Sequence, residues 1–101
     1  MYDKPFDKLA PIDQMGKLNR LAEILKVSSH PVRLSIIKLL EDGELPVNMM
    51  VYDLSLPYPT ISRHLKYLHR ARIVANRREG TIVYYYLNDD RILELINDTR
   101  P

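Results

Sequence analysis

The chain has 101 residues, 46% hydrophobic and 28% charged, with no cysteine. These numbers describe one small globular domain and exclude disulfides, thiolate metal sites and thiol redox chemistry. No apolar run approaches the roughly 20 residues of a membrane span, and the first residues lack the basic start and apolar stretch of a signal peptide. A cytoplasmic protein with no membrane partner is therefore expected. A domain of this size buries only about 60–65% of its unfolded surface, which favours dimerisation. The net charge of +2 is unevenly placed: residues 57–88 carry six basic side chains against one acidic, and the rest of the chain nets −3. A chain basic in one third and acidic elsewhere has the electrostatic footprint of a protein that meets a polyanion.

In chain order, residues 1–14 carry Pro5 and Pro11 with isolated apolar residues and read as an N-terminal arm, leaving residues 15–101 as the domain. From Met15 the spacing turns helical, with Met15, Leu18, Ala22 and Leu25 in the i, i+3, i+4 rhythm and Leu21 and Ile24 widening the stripe. That first helix is apolar over more of its circumference than a one-sided surface helix needs, which suits a shared interface. Ser28-Ser29-His30-Pro31 stops it and starts a second helix, which buries Val32, Ile36, Ile37 and Leu40, runs to about Glu41 and ends at Gly43. Pro46 opens a short third helix (Val47, Met50, Val51, Leu54). Pro57-Tyr58-Pro59 cannot lie inside a helix, so a fourth begins at about Pro59 and continues to Arg72. Two helices joined by the turn Ser55 to Tyr58 have the helix-turn-helix outline.

The period then switches. Ile73 to Arg78 and Thr81 to Leu87 are rich in β-branched and aromatic residues and flank Glu79-Gly80, a hairpin signal. Asn88-Asp89-Asp90 offers a cap for a last helix with Ile92, Leu93, Leu95 and Ile96. The fold class is mainly α with a β-hairpin wing, a winged helix-turn-helix of about five helices.

In the fourth helix Ile61, Leu65 and Leu68 define a buried stripe, and Arg63, Lys66 and Arg70 lie opposite at spacings of three and four, flanked by Thr60, Ser62 and Tyr67. The major groove of B-DNA admits such a helix, whose N-terminal residues reach base edges. Arg63 suits a bidentate guanine contact, Thr60 and Ser62 suit base contacts, and Lys66 and Arg70 suit phosphates. A lone charged helix face is ordinarily only solvated; the preceding helix, the turn and the basic hairpin together turn the reading toward DNA. Arg77 and Arg78 at the hairpin tip add minor-groove or phosphate contacts. Of Tyr84, Tyr85 and Tyr86, alternation sends one face to the core. Met49, Met50 and Tyr52 offer a pocket lining for an organic effector, although such a stripe is more often core.

From about Leu21 to Ile96 the chain resembles the ArsR/SmtB family of repressors, on the stretches LAEILKVSSHPVRLSIIKLL, TISRHLKYLHRARIV and RREGTIVYYYL. The resemblance implies a homodimer through the first and last helices (Leu18, Leu21, Leu25, Ile92, Leu93, Ile96). It also implies two recognition helices on an inverted-repeat operator in double-stranded DNA and repression relieved by an inducer. It places His64 at a backbone-touching position, for which a phosphate contact is expected, and Tyr58 where many members have a glutamine. Tyr58 can stack or make one hydrogen bond but cannot read adenine as an amide does, so a different operator is expected.

Many members bind a metal through the cysteines of ELCVCDL; the aligned run here is Glu44-Leu45-Pro46-Val47-Asn48-Met49-Met50, without a thiolate, and no histidine follows His69 to complete the family's other site. No metal and no cofactor is therefore expected, and a small organic effector, or none, is left as the signal. Two alternatives remain at this level: a winged-helix module binding an acidic protein, and a metal-responsive repressor with an atypical site. An enzyme is disfavoured, because no nucleophile set and no phosphate-cradling glycine loop is present.

Overall fold

Prolines set most of the helix boundaries. The computed structural model describes residues 11–98, and within them Pro11 is the first residue of α1 (Pro11–Ser28) and Pro31 the first of α2 (Pro31–Leu39). For Pro31, which follows the cap residue His30, this is the position where a missing N–H costs nothing and the fixed φ is already helical. His30 caps α2, its Nδ1 accepting from the Val32 amide at 3.1 Å. A single 3-10 turn (Leu40–Asp42) follows and closes on Gly43, whose φ of +143° disfavours any other residue. Pro46 and Pro57, both extended, cap α3 (Val47–Leu54) and α4 (Tyr58–Arg70).

Two boundaries differ from expectation. The first helix begins at Pro11, not Met15, so residues 11–14 belong to it; the remainder of the expected arm, residues 1–10, lies outside the described residues. The fourth helix ends at Arg70, two residues early, through a Schellman-type closure. Ile73 N–H donates to the Leu68 carbonyl and Arg72 N–H to that of His69, both at 3.0 Å, with Arg72 left-handed at φ +59°. Glycine is the usual occupant there; an arginine holds a conformation that costs about 1 kcal/mol.

The wing pairs β2 (Val74–Glu79) with β3 (Ile82–Leu87), with Glu79 opposite Ile82. The loop is therefore Gly80-Thr81, one residue beyond the expected Glu79-Gly80. Gly80 has the positive φ, +63°, that primed hairpin turns need at that place. A third strand, β1 (Leu45–Pro46), was not expected; it pairs antiparallel with β3, Leu45 opposite Tyr85 and Pro46 opposite Tyr84, for a sheet order β1-β3-β2. The chain then forms α5 (Ile92–Asn97).

The core joins Ile24 of α1, Ile36, Ile37 and Leu40, Met50 of α3, Ile61, Leu65 and Leu68 of α4, and Ile73, Val74 and Ile92. Each large aliphatic residue buried there contributes about 1.5–3 kcal/mol. Of the three tyrosines, Tyr85 packs on the core while Tyr86 is exposed. Met50 is fully buried whereas Met49 and Tyr52 are exposed, Tyr52 by 80%, so the three do not line a common pocket. No helix among the described residues is long and apolar enough to cross a membrane.

Candidate nucleic-acid interface

The sequence of α4 divides it lengthwise. Ile61, Leu65 and Leu68 are buried at spacings of three and four, and the same geometry puts Ser62, Arg63, Lys66 and Arg70 on the exposed side. Tyr58 and Tyr67 are exposed and Thr60 is half-buried, all along the margin of that face. The face thus brings three cations, two hydroxyls and two aromatic rings together on one helix, a set able to meet phosphates and base edges. Among the described residues Ser62, Arg63, Lys66 and Arg70 are exposed to solvent.

His64 departs from the expectation of a surface contact. It is only 5% exposed and lies among the core-facing residues of α4, because position 64 stands three after Ile61 and four before Leu68. Its ring sits 4.4 Å from that of His30, and its Nδ1 accepts from Arg33 Nε at 3.2 Å. Burial, with His30, Arg33 and Arg63 adding positive charge, pushes the imidazole below its ordinary value and keeps it neutral at pH 7.

The two wing arginines also separate. Arg77 is turned back toward the body of the domain. Its Nε donates to Glu44 at 2.8 Å, its Nη2 pairs with the same carboxylate, and its Nη1 donates to Glu79 at 2.8 Å. Its guanidinium lies 4.7 Å over the Tyr84 ring. The hydrogen bonds from Arg77 hold the Glu44 carboxyl below the usual carboxylate range. Arg78, exposed on the outer strand, faces Val83 across the pair. The wing therefore offers Arg78 as its outward cation, while the charge of Arg77 is compensated.

The six residues expected at a dimer interface are not equivalent. Leu18, Leu21 and Leu25 are 40–41% exposed along α1, with Met15 extending the row. On α5, Ile92 is 6% exposed and packs in the protomer's own core; Leu93 and Ile96 are half-buried against that core. Leu95, omitted from the six, is the most exposed apolar residue of α5. A groove between the two helices is lined by Leu25, Ser28, Ser29, Leu34, Ile92, Leu95 and Ile96, and among the described residues the buried Ser28 hydroxyl has no hydrogen-bond partner.

Comparison with known proteins places this geometry. Residues 30–76 match the model of the arsR family of bacterial regulatory proteins. Over 83 residues the chain is 47% identical to an HTH-type transcriptional regulator of Methanocaldococcus jannaschii, covering 81% of this chain and 93% of that one. The chain belongs to the ArsR family. Among solved structures, this ArsR-family chain is similar to the transcriptional repressor BigR of Xylella fastidiosa. That match has a TM-score of 0.74 and 31% identity, covering 88% of this chain and 91% of the other. It is also similar to a homodimeric winged helix-turn-helix DNA-binding domain of Mycobacterium bovis, with a TM-score of 0.74 and 26% identity over 90% of this chain and 86% of that one. The fold is a winged helix-turn-helix, and the chain is a DNA-binding transcriptional regulator, not an enzyme.

Sequence reasoning missed Arg20 and Arg33, which reach α4 or its closing turn from α1 and α2. Arg20 Nη1 donates to the Ala71 carbonyl at 2.5 Å and its Nη2 to that of Arg72 at 3.3 Å, with Asp89 3.6 Å away. These contacts span 51 and 52 residues of sequence, and no local signal announces them.

Proposed function

We propose that this regulator is a homodimeric repressor whose α4 enters the major groove of an inverted-repeat operator, with the wing on the flanking backbone. The observation that carries the reading is the division of α4: Ile61, Leu65 and Leu68 anchor one side while Arg63, Lys66 and Arg70 stand unobstructed on the other. Arg63, in the first half of the helix, is assigned to base edges together with Tyr58, Thr60 and Ser62; Lys66, Tyr67, Arg70 and Arg78 are assigned to the backbone. The exposed leucine row of α1 and Leu95 of α5 support pairing of two copies, and the homodimeric state of the M. bovis domain is consistent with it.

The signal that releases the DNA is assigned to something other than a metal bound at α3. Pro46 is committed to β1 and Asn48 to the first turn of α3, and neither side chain supplies the thiolate such a site uses.

Selection of bound duplexes from fragmented source genome at near-physiological salt tests the whole reading. The expected product is an inverted repeat with half-sites about one helical turn apart. Its affinity should fall with salt at a slope of roughly −0.9 per phosphate contacted. Recovery of no sequence above background refutes it.

A further inference from the structure

Arg33 belongs to α2, outside the face assigned to DNA, yet it is bound to α4 twice. Its Nε donates to His64 Nδ1 at 3.2 Å, and its guanidinium carbon lies 4.5 Å from the centre of the Tyr67 ring. A third contact, Nη1 to the Val27 carbonyl at 3.0 Å, secures the same group to the last turns of α1. Residues 64 and 67 are three apart, so one planar guanidinium grips a single edge of α4 at two levels. An arginine can do this because its donors are fixed in a fork and its face stacks on aromatic rings; a lysine has neither property.

We propose that Arg33 is a positioning residue for DNA recognition: it sets the roll of α4 about its axis and the orientation of Tyr67, and so aims Arg63 and Lys66, while His64 remains a neutral acceptor. This inference rests on the proposal that α4 enters the DNA.

The dependence on a neutral His64 follows from the contact itself. Arg33 Nε can only donate, so His64 Nδ1 must carry the lone pair. A proton on Nδ1 turns the contact into two donors and two cations face to face. The titratable and charged groups facing His64 are His30 and Arg33 from the α2 side and Arg63 from its own helix, while α1 contributes the Val27 carbonyl beside Arg33. None of these is an anion that would welcome the proton. The sign of the effect separates two roles. Were His64 a phosphate contact, acid would strengthen binding; as the acceptor for Arg33, acid weakens the specific mode.

The test measures binding of the full chain to the duplex recovered by the genomic selection and to a scrambled duplex of equal composition, at fixed salt from pH 7.5 to 5.5. The quantity read is the ratio of the two affinities, because charge gained elsewhere acts on both duplexes. The wild-type ratio is expected to fall on acidification, by less than the roughly tenfold that an imidazole of ordinary value could give over this range. His64→Asn, which keeps an acceptor near the Nδ1 position but cannot be protonated, should hold the ratio flat. Arg33→Ala and Arg33→Lys should each lower it about tenfold at pH 7.5 and remove its pH dependence, leaving scrambled binding within about threefold.

A wild-type ratio that is constant or rises with acid overturns the proposal, as does full rescue by lysine, which would mean that charge alone matters. Far-UV circular dichroism identifies any variant that fails to fold, and the wild-type pH series stands without the variants. A wild-type chain with no preference at pH 7.5 removes the underlying reading and this proposal with it. A preference untouched by pH and by Arg33 removes this proposal alone.

Discussion

Removing the Arg20 guanidinium should cost this domain about 2 kcal/mol, nearly all of it at one carbonyl. The side chain makes four contacts of unequal worth. The pair with Glu23, three residues along an exposed helix surface, contributes about 0.2–0.5 kcal/mol. Asp89 stays paired with Arg91 when Arg20 is gone, at 2.6 Å, so little is lost there. The Arg72 carbonyl likewise keeps the Asn88 amide at 2.9 Å. Among the described residues the Ala71 carbonyl has no second side-chain partner, and it is partly buried where α4 closes, so losing its charge-assisted bond costs about 1.5–3 kcal/mol.

In urea, with a slope of roughly 1–3 kcal/mol/M for a small protein, the midpoint of Arg20→Ala should drop by about 1 M at unchanged slope. Protein concentration is held constant, because pairing of copies shifts apparent stability. Arg20→Lys should recover part of the loss and Glu23→Ala should be close to neutral. In 1 M salt, where exposed pairs are screened within about 3 Å, the deficit should persist. A deficit below about 0.5 kcal/mol, or one abolished by salt, would show that the exposed ion pairs and not the carbonyl carry the contact.

Three further outcomes follow. Arg63→Ala should lose about 1–3 kcal/mol of binding with relaxed preference at one base position, whereas Arg78→Ala should weaken specific and scrambled duplexes alike and flatten the salt slope by about one; equal losses on both duplexes for both variants would contradict the division of labour. Leu21→Glu should give a folded monomer by analytical ultracentrifugation, while Ile92→Glu, which places a charge in the protomer's core, should unfold the chain; a folded Ile92→Glu monomer would contradict the core role of that side chain. Stability should also decline on mild acidification. The folded His64 imidazole binds its proton less readily than the unfolded one, so its contribution is complete above pH 6.5, erodes below it and levels off beneath the folded value. The carboxyls of Glu41, Glu44 and Asp89, all held low by hydrogen-bond partners, release their contributions only below about pH 4.5, and urea midpoints against pH should show two separate steps, the first absent from His64→Asn.

Periodicity made the helices and the wing readable because each buries one clear stripe. It failed where a residue's type and its position disagree. His64 occupies a core-facing position between Ile61 and Leu68, and the family resemblance, which puts it at a backbone-touching position, suggested the surface; counting its spacing alone would have placed it inside. Ile92 and Leu95 are both apolar on a six-residue helix, too short for a period to tell the buried one from the exposed one. The strand β1 is two residues long and contains Pro46, so it exists only through its partner on β3. The end of α4 was misjudged because a left-handed arginine replaces the glycine that normally marks such a stop. The long-range contacts of Arg20, Arg33 and Arg77 connect residues from 31 to 69 positions apart, and a one-dimensional pattern does not contain them.

The wing is stapled at its base: β1 pairs with β3 at the two residues that lead into α3, and Arg77 ties β2 to Glu44 just before them. A loose hairpin that settled onto DNA would surrender about 1–2 kcal/mol of backbone freedom for each residue it fixed. Here the hairpin is already paired and tied in the unbound protein, so in the proposed binding mode a contact from Arg78 would carry less of that cost. The same staple makes the wing and the recognition helix a ruler of fixed length. In the proposed binding mode, an operator with the wing's contact displaced by one base pair would not be met by flexing the hairpin, and spacing would be read without touching a base.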